Sequence, residues 1–298
     1  MKILRLIAIL LFVSAVAPSV SAQSRNPEMK FRDIEHSDKK DTLGLEERPY
    51  FLLIGQSEEA LANHDYEAAG LRLVEAMGIE PNNPLNVALL SNLGMIYYYN
   101  EQDSMALVTL NVAVERAPKL IGAHENRARV LIGMGRDAEA YDEYGTIIGI
   151  DSLNCDARFT HGMMALYRGD LSTAKADFAV LDKVVPLWSK TILANATMYA
   201  MTGNDVEAAS LYRRLLDKDK LPEYYSALAG CLIQLDNLDE AGKVIGEGLA
   251  RFSSDPELYY YRALLNHKRY LPQEAHSDAK KAIELGANRD KVLKIFQK

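Results

Sequence analysis

The chain is poor in the residues that most chemistry uses. It carries two cysteines, Cys155 and Cys231, and six histidines, at 36, 64, 124, 161, 267 and 276, among 298 residues. No HExxH pair occurs, and no Cys/His cluster has zinc spacing. There is no GxSxG elbow, no P-loop and no dinucleotide fingerprint. These absences argue against the common enzyme classes, and the chain reads as a non-enzyme with no metal and no cofactor. Positive charge is also scarce, with 34 Lys and Arg against 41 Asp and Glu, a net of −7. No basic run interleaved with aromatics is present, so a nucleic-acid partner is not expected.

Long apolar runs are missing beyond the first residues. Lys2 and Arg5 precede an apolar stretch, Leu6 to Val16, followed by Pro18 and Val20-Ser21-Ala22. A positive start, a short apolar core and a small-residue end make residues 1–22 a cleaved signal peptide rather than a transmembrane anchor. No cysteine follows the cut, so no lipid anchor is expected there. Removing Lys2 and Arg5 leaves 32 basic against 41 acidic residues, or −9. The mature chain reads as exported, with no transmembrane segment. Its location is then the periplasm, with secretion as the alternative. Residues 23–49 are polar and charged and read as a lead-in to the folded part. Within them, Asp41-Thr42-Leu43 resembles a bacterial O-glycosylation triplet.

What the chain does have is a period. Ala106, Ala140, Ala174 and Ala208 stand 34 residues apart, and Ala241 and Ala275 continue at steps of 33 and 34. Ala69 precedes them by 37. Twelve residues before each alanine stands Ser57, Gly94, Ala128, Gly162, Ala196, Ala229 or Ala263. Four after it stands Leu73, Leu110, Tyr144, Phe178, Tyr212 or Ile245, with Ala279 as the exception. Pro81, Pro118 and Pro186 fall twelve after it in three units. Apolar residues at helical spacing on both sides of a turn make two amphipathic helices per unit. The small residues allow the two to approach, and proline stops the second. A single unit cannot bury its apolar face, so units must stack.

These columns resemble the tetratricopeptide repeat. The resemblance implies an all-α, right-handed solenoid of about seven helix-turn-helix repeats, at 50–83, 87–120, 121–154, 155–188, 189–221, 222–255 and 256–289. Residues 290–298 would form a capping helix, with Val292, Leu293 and Phe296 on its covering face. Cys155 and Cys231 fall two repeats apart, too far for the Cα separation of ~7 Å or less that a disulfide needs.

In this family the first helix of each unit lines a groove. The resemblance implies that Met95, Tyr98, Tyr99, Arg129, Phe159, Met163, Leu166, Tyr167, Leu193 and Tyr260 face it. Tyr97 and Tyr259 would pack between helices. A carboxylate clamp of the family's chaperone-tail type does not fit. Its lysines and first asparagine would fall at Ile54, Glu58 and Gly122, although Asn92 and Asn126 keep later asparagine positions. At columns that are usually apolar stand His124, Arg127, Arg158 and His161, continued by Asn195. They could form an anion site, or pair with Asp142, Glu143 and Asp177 on the second helices.

The implied function is binding of a protein or peptide partner, an extended segment or a helix, in the groove. Two alternatives stand. One is a scaffold subunit of a cell-envelope complex. The other is a binder of a small anionic ligand or glycan through the basic cluster. The groove side chains could also pack on one another or hold the chain's own 23–49 segment. Asn195-Ala196-Thr197 is a glycosylation sequon set at a helix-packing position, which disfavours its use.

Overall fold

The computed structural model describes residues 48–297; the expected signal peptide, and the lead-in up to residue 47, lie outside them. Fifteen α-helices and one 3₁₀ turn make up the described elements. Two compact units divide them, one ending at Ala157 and one beginning at Arg158, inside the seventh helix. In the first unit α1 (Pro49–Ala62) pairs with α2 (Tyr66–Ile79), α3 (Asn86–Tyr99) with α4 (Asp103–Arg116), and α5 (Ile121–Gly133) with α6 (Asp137–Ile150). α7 (Cys155–Tyr167) crosses the division. In the second unit follow α8 (Leu171–Val184), the pair α9 (Ser189–Thr202) and α10 (Asp205–Lys218), the pair α11 (Pro222–Gln234) and α12 (Leu238–Arg251), and the pair α13 (Pro256–Lys268) and α14 (Pro272–Glu284). First helices of successive pairs also touch, α3 with α5 and α11 with α13.

The periodic columns explain the pairing. All seven column alanines, from Ala69 to Ala275, have no exposed surface. A Cβ on Gly94 would meet Leu110 Cγ at 2.5 Å, and one on Gly162 would meet Phe178 Cε1 at 2.6 Å. In these two units the bulky residue four places after the alanine therefore fills the space that the small residue twelve before it vacates. A fully buried leucine of this kind contributes about 1.5–3 kcal/mol.

Each pair turns in the same way. The residue closing the turn is left-handed: His64, Glu101, Gly135, Gly169, Gly203, Asp236 and Tyr270, with φ between 58° and 84°. The next backbone N–H reaches the carbonyl five residues back, as in Asp65 to Ala60 and Gln102 to Tyr97, both at 2.8 Å. Such bonds satisfy the carbonyls that a helix end leaves open.

The connection to the following pair is closed by side chains. Asn86 Nδ2 donates to the Glu80 carbonyl (2.7 Å), and His124 Nε2 bonds the Pro118 carbonyl (3.0 Å). Thr191 Oγ1 donates to the Val185 carbonyl (2.9 Å), and Tyr259 Oη to the Ser253 carbonyl (3.2 Å). In each case the donor lies six residues after the acceptor.

The chain ends in α15 (Arg289–Leu293) and the 3₁₀ turn Lys294–Phe296. Val292 and Ile295 are buried against Tyr260, Ala263, Ala279 and Ala282. Leu293, expected on the covering face, is 41% exposed instead. The helix tightens at Lys294, and three residues per turn put Ile295 under Val292. Phe296 stacks on His276 with ring centroids 4.2 Å apart.

Candidate partner-binding surface

Seven of the ten residues expected to line a groove are buried: Met95, Tyr98, Phe159, Met163, Leu166, Leu193 and Tyr260. This corrects the expectation that they offer open surface, and for four of them the covering neighbours are clear. Met95 and Tyr98 pack with Ala106, Leu110 and Val130. Tyr98 also fills the space beside Gly133, where a Cβ would stand 2.1 Å from its hydroxyl oxygen. Phe159 meets the Trp188 ring edge-on at 6.2 Å, beneath Lys190. Tyr260 lies under the C-terminal cap, with Lys291 Nζ 4.1 Å above its ring. Tyr99 and Tyr167 are half-buried, and Arg129 is exposed. The groove side chains thus serve chiefly as core.

The basic columns are paired. His124 Nδ1 bonds Glu143 Oε2 at 2.7 Å, and the Arg127 guanidinium donates to Glu143 Oε1. Arg158 Nη1 donates to Asp177 Oδ1 at 2.7 Å, and His161 Nδ1 lies 2.6 Å from Asp177 Oδ2. Asp142, also a candidate partner, points elsewhere: it lies one residue and ~100° around the helix from Glu143 and is exposed. Both nitrogens of His124 face acceptors, Glu143 and the Pro118 carbonyl. The Glu143 hydrogen bond leads in raising the His124 pKa against the opposing effect of burial. Burial would raise Glu143, but hydrogen bonds from His124 and Arg127 outweigh it and hold the carboxyl low. A third centre stands in the second unit, where Asp278 accepts from Arg262 at 2.6 and 2.9 Å and from Asn266 at 3.0 Å. Each centre supplies a buried carboxylate with cationic partners, as burial of the anion demands, although Arg262 itself stays partly exposed. A small anion would compete with these carboxylates.

Nucleophile chemistry finds no support at the thiols. Both cysteines are free. Burial pushes Cys231 up to about 12, which keeps it a neutral thiol. Among the described residues no three His, Cys, Asp or Glu side chains gather to hold a metal, and no helix is long and apolar enough to cross a membrane. At the sequon, Asn195 Nδ2 donates to Asp182 Oδ1 at 2.7 Å and Thr197 is buried.

Two features escaped the sequence. Asn92 is 5% exposed, and among the described residues its Nδ2 meets no acceptor. Beside it Ser91 accepts from Asn126 Nδ2 across the α3–α5 contact, at 3.0 Å. The asparagine column showed that an amide stood there, but its bonding depends on neighbours brought by packing. The second feature is Tyr66, whose ring stacks on Tyr99 at 5.8 Å and 22°. A tyrosine just after the N-cap Asp65 gave no hint of a partner 33 residues on.

No family model matches the sequence. Among solved structures the chain is similar to a tetratricopeptide repeat protein from Parabacteroides merdae. The two share 25% identity over 84% of this chain and 98% of that one, with a TM-score of 0.69. It is also similar to the structure of the APC/C hetero-tetramer Cut9–Hcn1, at 13% identity over 85% of this chain and 56% of that one, TM-score 0.61. A third likeness is to PilW, a type IV pilus biogenesis factor, at 15% identity over 72% of this chain and all of that one, TM-score 0.60. The fold, paired helices repeated along the chain, is an α-solenoid of the tetratricopeptide-repeat type.

Proposed function

We propose that this chain is an exported interaction module, without chemistry of its own, that holds an extended segment of a partner protein along α3 and α5. The observation that carries the reading is the Asn92 amide. A buried donor without an acceptor costs about 1–3 kcal/mol. Nδ2 is covered in the free chain, and a turn of the amide toward the α3–α5 surface would let a main-chain carbonyl of an extended segment satisfy it. Exposed Arg129 on α5 supplies a flanking contact. The repeat fold supports the reading, since stacked helix pairs present long continuous surfaces to partners.

The test uses immobilised peptides of varied sequence and the purified mature chain. Asn92→Leu removes the orphan donor at similar volume. The expected result is peptide capture weakened at least tenfold with a thermal midpoint equal to or above wild type. Undiminished capture by this variant would sink the reading.

A scaffold role in an envelope complex has its own supporting observation. The second helices of the first unit expose Leu71 (56%), Val74 (47%), Met105 (50%) and Val108 (59%). Co-purification with a complex that survives Asn92→Leu and fails with Leu71→Glu and Val108→Glu would favour it.

A further inference from the structure

The turns of the first unit carry a surface that the Asn92 reading does not use. Tyr66 opens α2 and Tyr99 closes α3, and their stacked, half-exposed rings join the first turn to the second. His64 extends the row, its ring 6.4 Å from Tyr66. Tyr98 braces it from below, edge-on to Tyr99 at 5.8 Å. Tyr99 and Met134 pack in one cluster, which brings the third turn alongside. The stack is therefore held rigid by the core while one side of it stays wet.

The charge around the stack has one sign. Asp65, Glu67, Glu101 and Asp137 lie on these turns and helix starts, and all four are exposed. Arg136 is the cation on the same turns, and it is paired with Glu139, to which its Nε and Nη2 donate at 2.6 and 2.7 Å. The bias extends to the whole unit. Residues 48–157 contain seven Lys and Arg against sixteen Asp and Glu, a net of −9. Residues 158–298 contain twenty against eighteen, a net of +2.

We propose that the Tyr66–Tyr99 stack is a docking surface for a lysine- and arginine-rich extended segment of a partner. A guanidinium or ammonium is attracted to the face of a tyrosine ring, most strongly where the contact is desolvated. Carboxylates around the rings steer the same charge and reject an acidic segment. Two stacked rings offer neighbouring seats, which suits a run of basic residues better than a single cation. Aromatic stacks also bind sugars, but a ring of carboxylates adds nothing for a neutral glycan.

The test measures fluorescence anisotropy of a labelled hexapeptide of lysine and arginine on the full mature chain. A glutamate hexapeptide and a neutral oligosaccharide serve as competing probes. The basic peptide is expected to bind, and the other two are not. Tyr66→Leu with Tyr99→Leu is expected to weaken it about tenfold, by the cation–π gain of two rings. Tyr66→Phe with Tyr99→Phe keeps packing and ring faces and is expected to retain binding, which separates lost contact from lost fold. Glu67→Gln with Glu101→Gln is expected to flatten the salt dependence. Asn92→Leu is expected to leave this affinity unchanged, so the surface stands or falls apart from the α3–α5 site. Wild-type affinity in the leucine pair, or equal binding of the glutamate peptide or the oligosaccharide, overturns the proposal.

Discussion

Two tyrosine triplets, Tyr97–Tyr99 and Tyr259–Tyr261, read alike and are used in opposite ways. The first ends α3; the second sits near the start of α13. At the helix end, Tyr99 reaches the turn and stays half-exposed beside Tyr66. Near the helix start, Tyr259 bonds the Ser253 carbonyl, and Arg262 lies 4.9 Å over its ring. Tyr260 and Tyr261 are roofed by Lys291, which Glu257 holds at 2.5 Å. Burial, followed by Glu257, pushes the Tyr260 phenol up to about 12. Each triplet also seats one ring on a glycine of a neighbouring first helix, Tyr98 on Gly133 and Tyr261 on Gly230. The difference teaches that place along the helix, more than residue type, decides between core and surface. The second triplet has a lid of its own chain, and the first leaves one ring half-exposed.

The contrast can be broken most strongly at Tyr260. Tyr260→Ala empties a fully covered site and should cost about 3–5 kcal/mol in urea unfolding, whereas half-exposed Tyr99→Ala should cost about 1 kcal/mol. Equal losses would dissolve the distinction. Next comes the lid's charge. Lys291→Met keeps the bulk of the side chain but leaves Glu257 without its cation, and should cost about 1–3 kcal/mol, discounted because Glu257 is partly exposed. A smaller effect separates the two glycine seats. An added Cβ meets the Tyr98 oxygen at 2.1 Å but Tyr261 no closer than 3.0 Å. Gly133→Ala should therefore destabilise by about 1–2 kcal/mol by overpacking. Gly230→Ala should come out near neutral on a thermal melt, since helix propensity gains roughly 0.5–1 kcal/mol.

Buried charge away from the triplets gives a pH control. The folded His124 is held above its ordinary pKa, chiefly by Glu143. Its contribution is complete below the unfolded value of about 6.5 and declines as pH rises through the raised folded value. Wild type should thus exceed His124→Gln in stability at pH 6, with the gap narrowing toward pH 9. A modest gain is expected at the turns. Tyr270 is 91% exposed at φ 58°. Tyr270→Gly relieves a left-handed side chain and should stabilise by about 1 kcal/mol, seen as a raised denaturant midpoint.

The fold class was legible because stacking imposes fixed residue types at fixed spacing. Gly94 and Gly162 had to be small since Leu110 and Phe178 occupy their Cβ positions. The basic columns were legible as pairs, but the choice of Glu143 over Asp142 turns on one residue of helical phase. The cap was misread at Leu293 because the period drops to three after it. The groove was overestimated for a related reason. Position on a first helix tells which way Met95 or Tyr98 points, and only the neighbouring helices tell how much room is left there. The Asn92 amide was visible as a letter, yet its missing acceptor is a property of three-dimensional company.

The side chains that close the connections between pairs have a consequence for cooperativity. The carbonyls of Glu80, Pro118, Val185 and Ser253 are satisfied by Asn86, His124, Thr191 and Tyr259, each belonging to the pair that follows. The end of one pair is therefore an interface term shared with its successor, as in a chain of coupled spins. A chain cut after Lys119 would lose more than the residues removed, since the Pro118 carbonyl would also lose its His124 partner. Fraying from the C-terminal side should then advance pair by pair, each loss loosening the one before it.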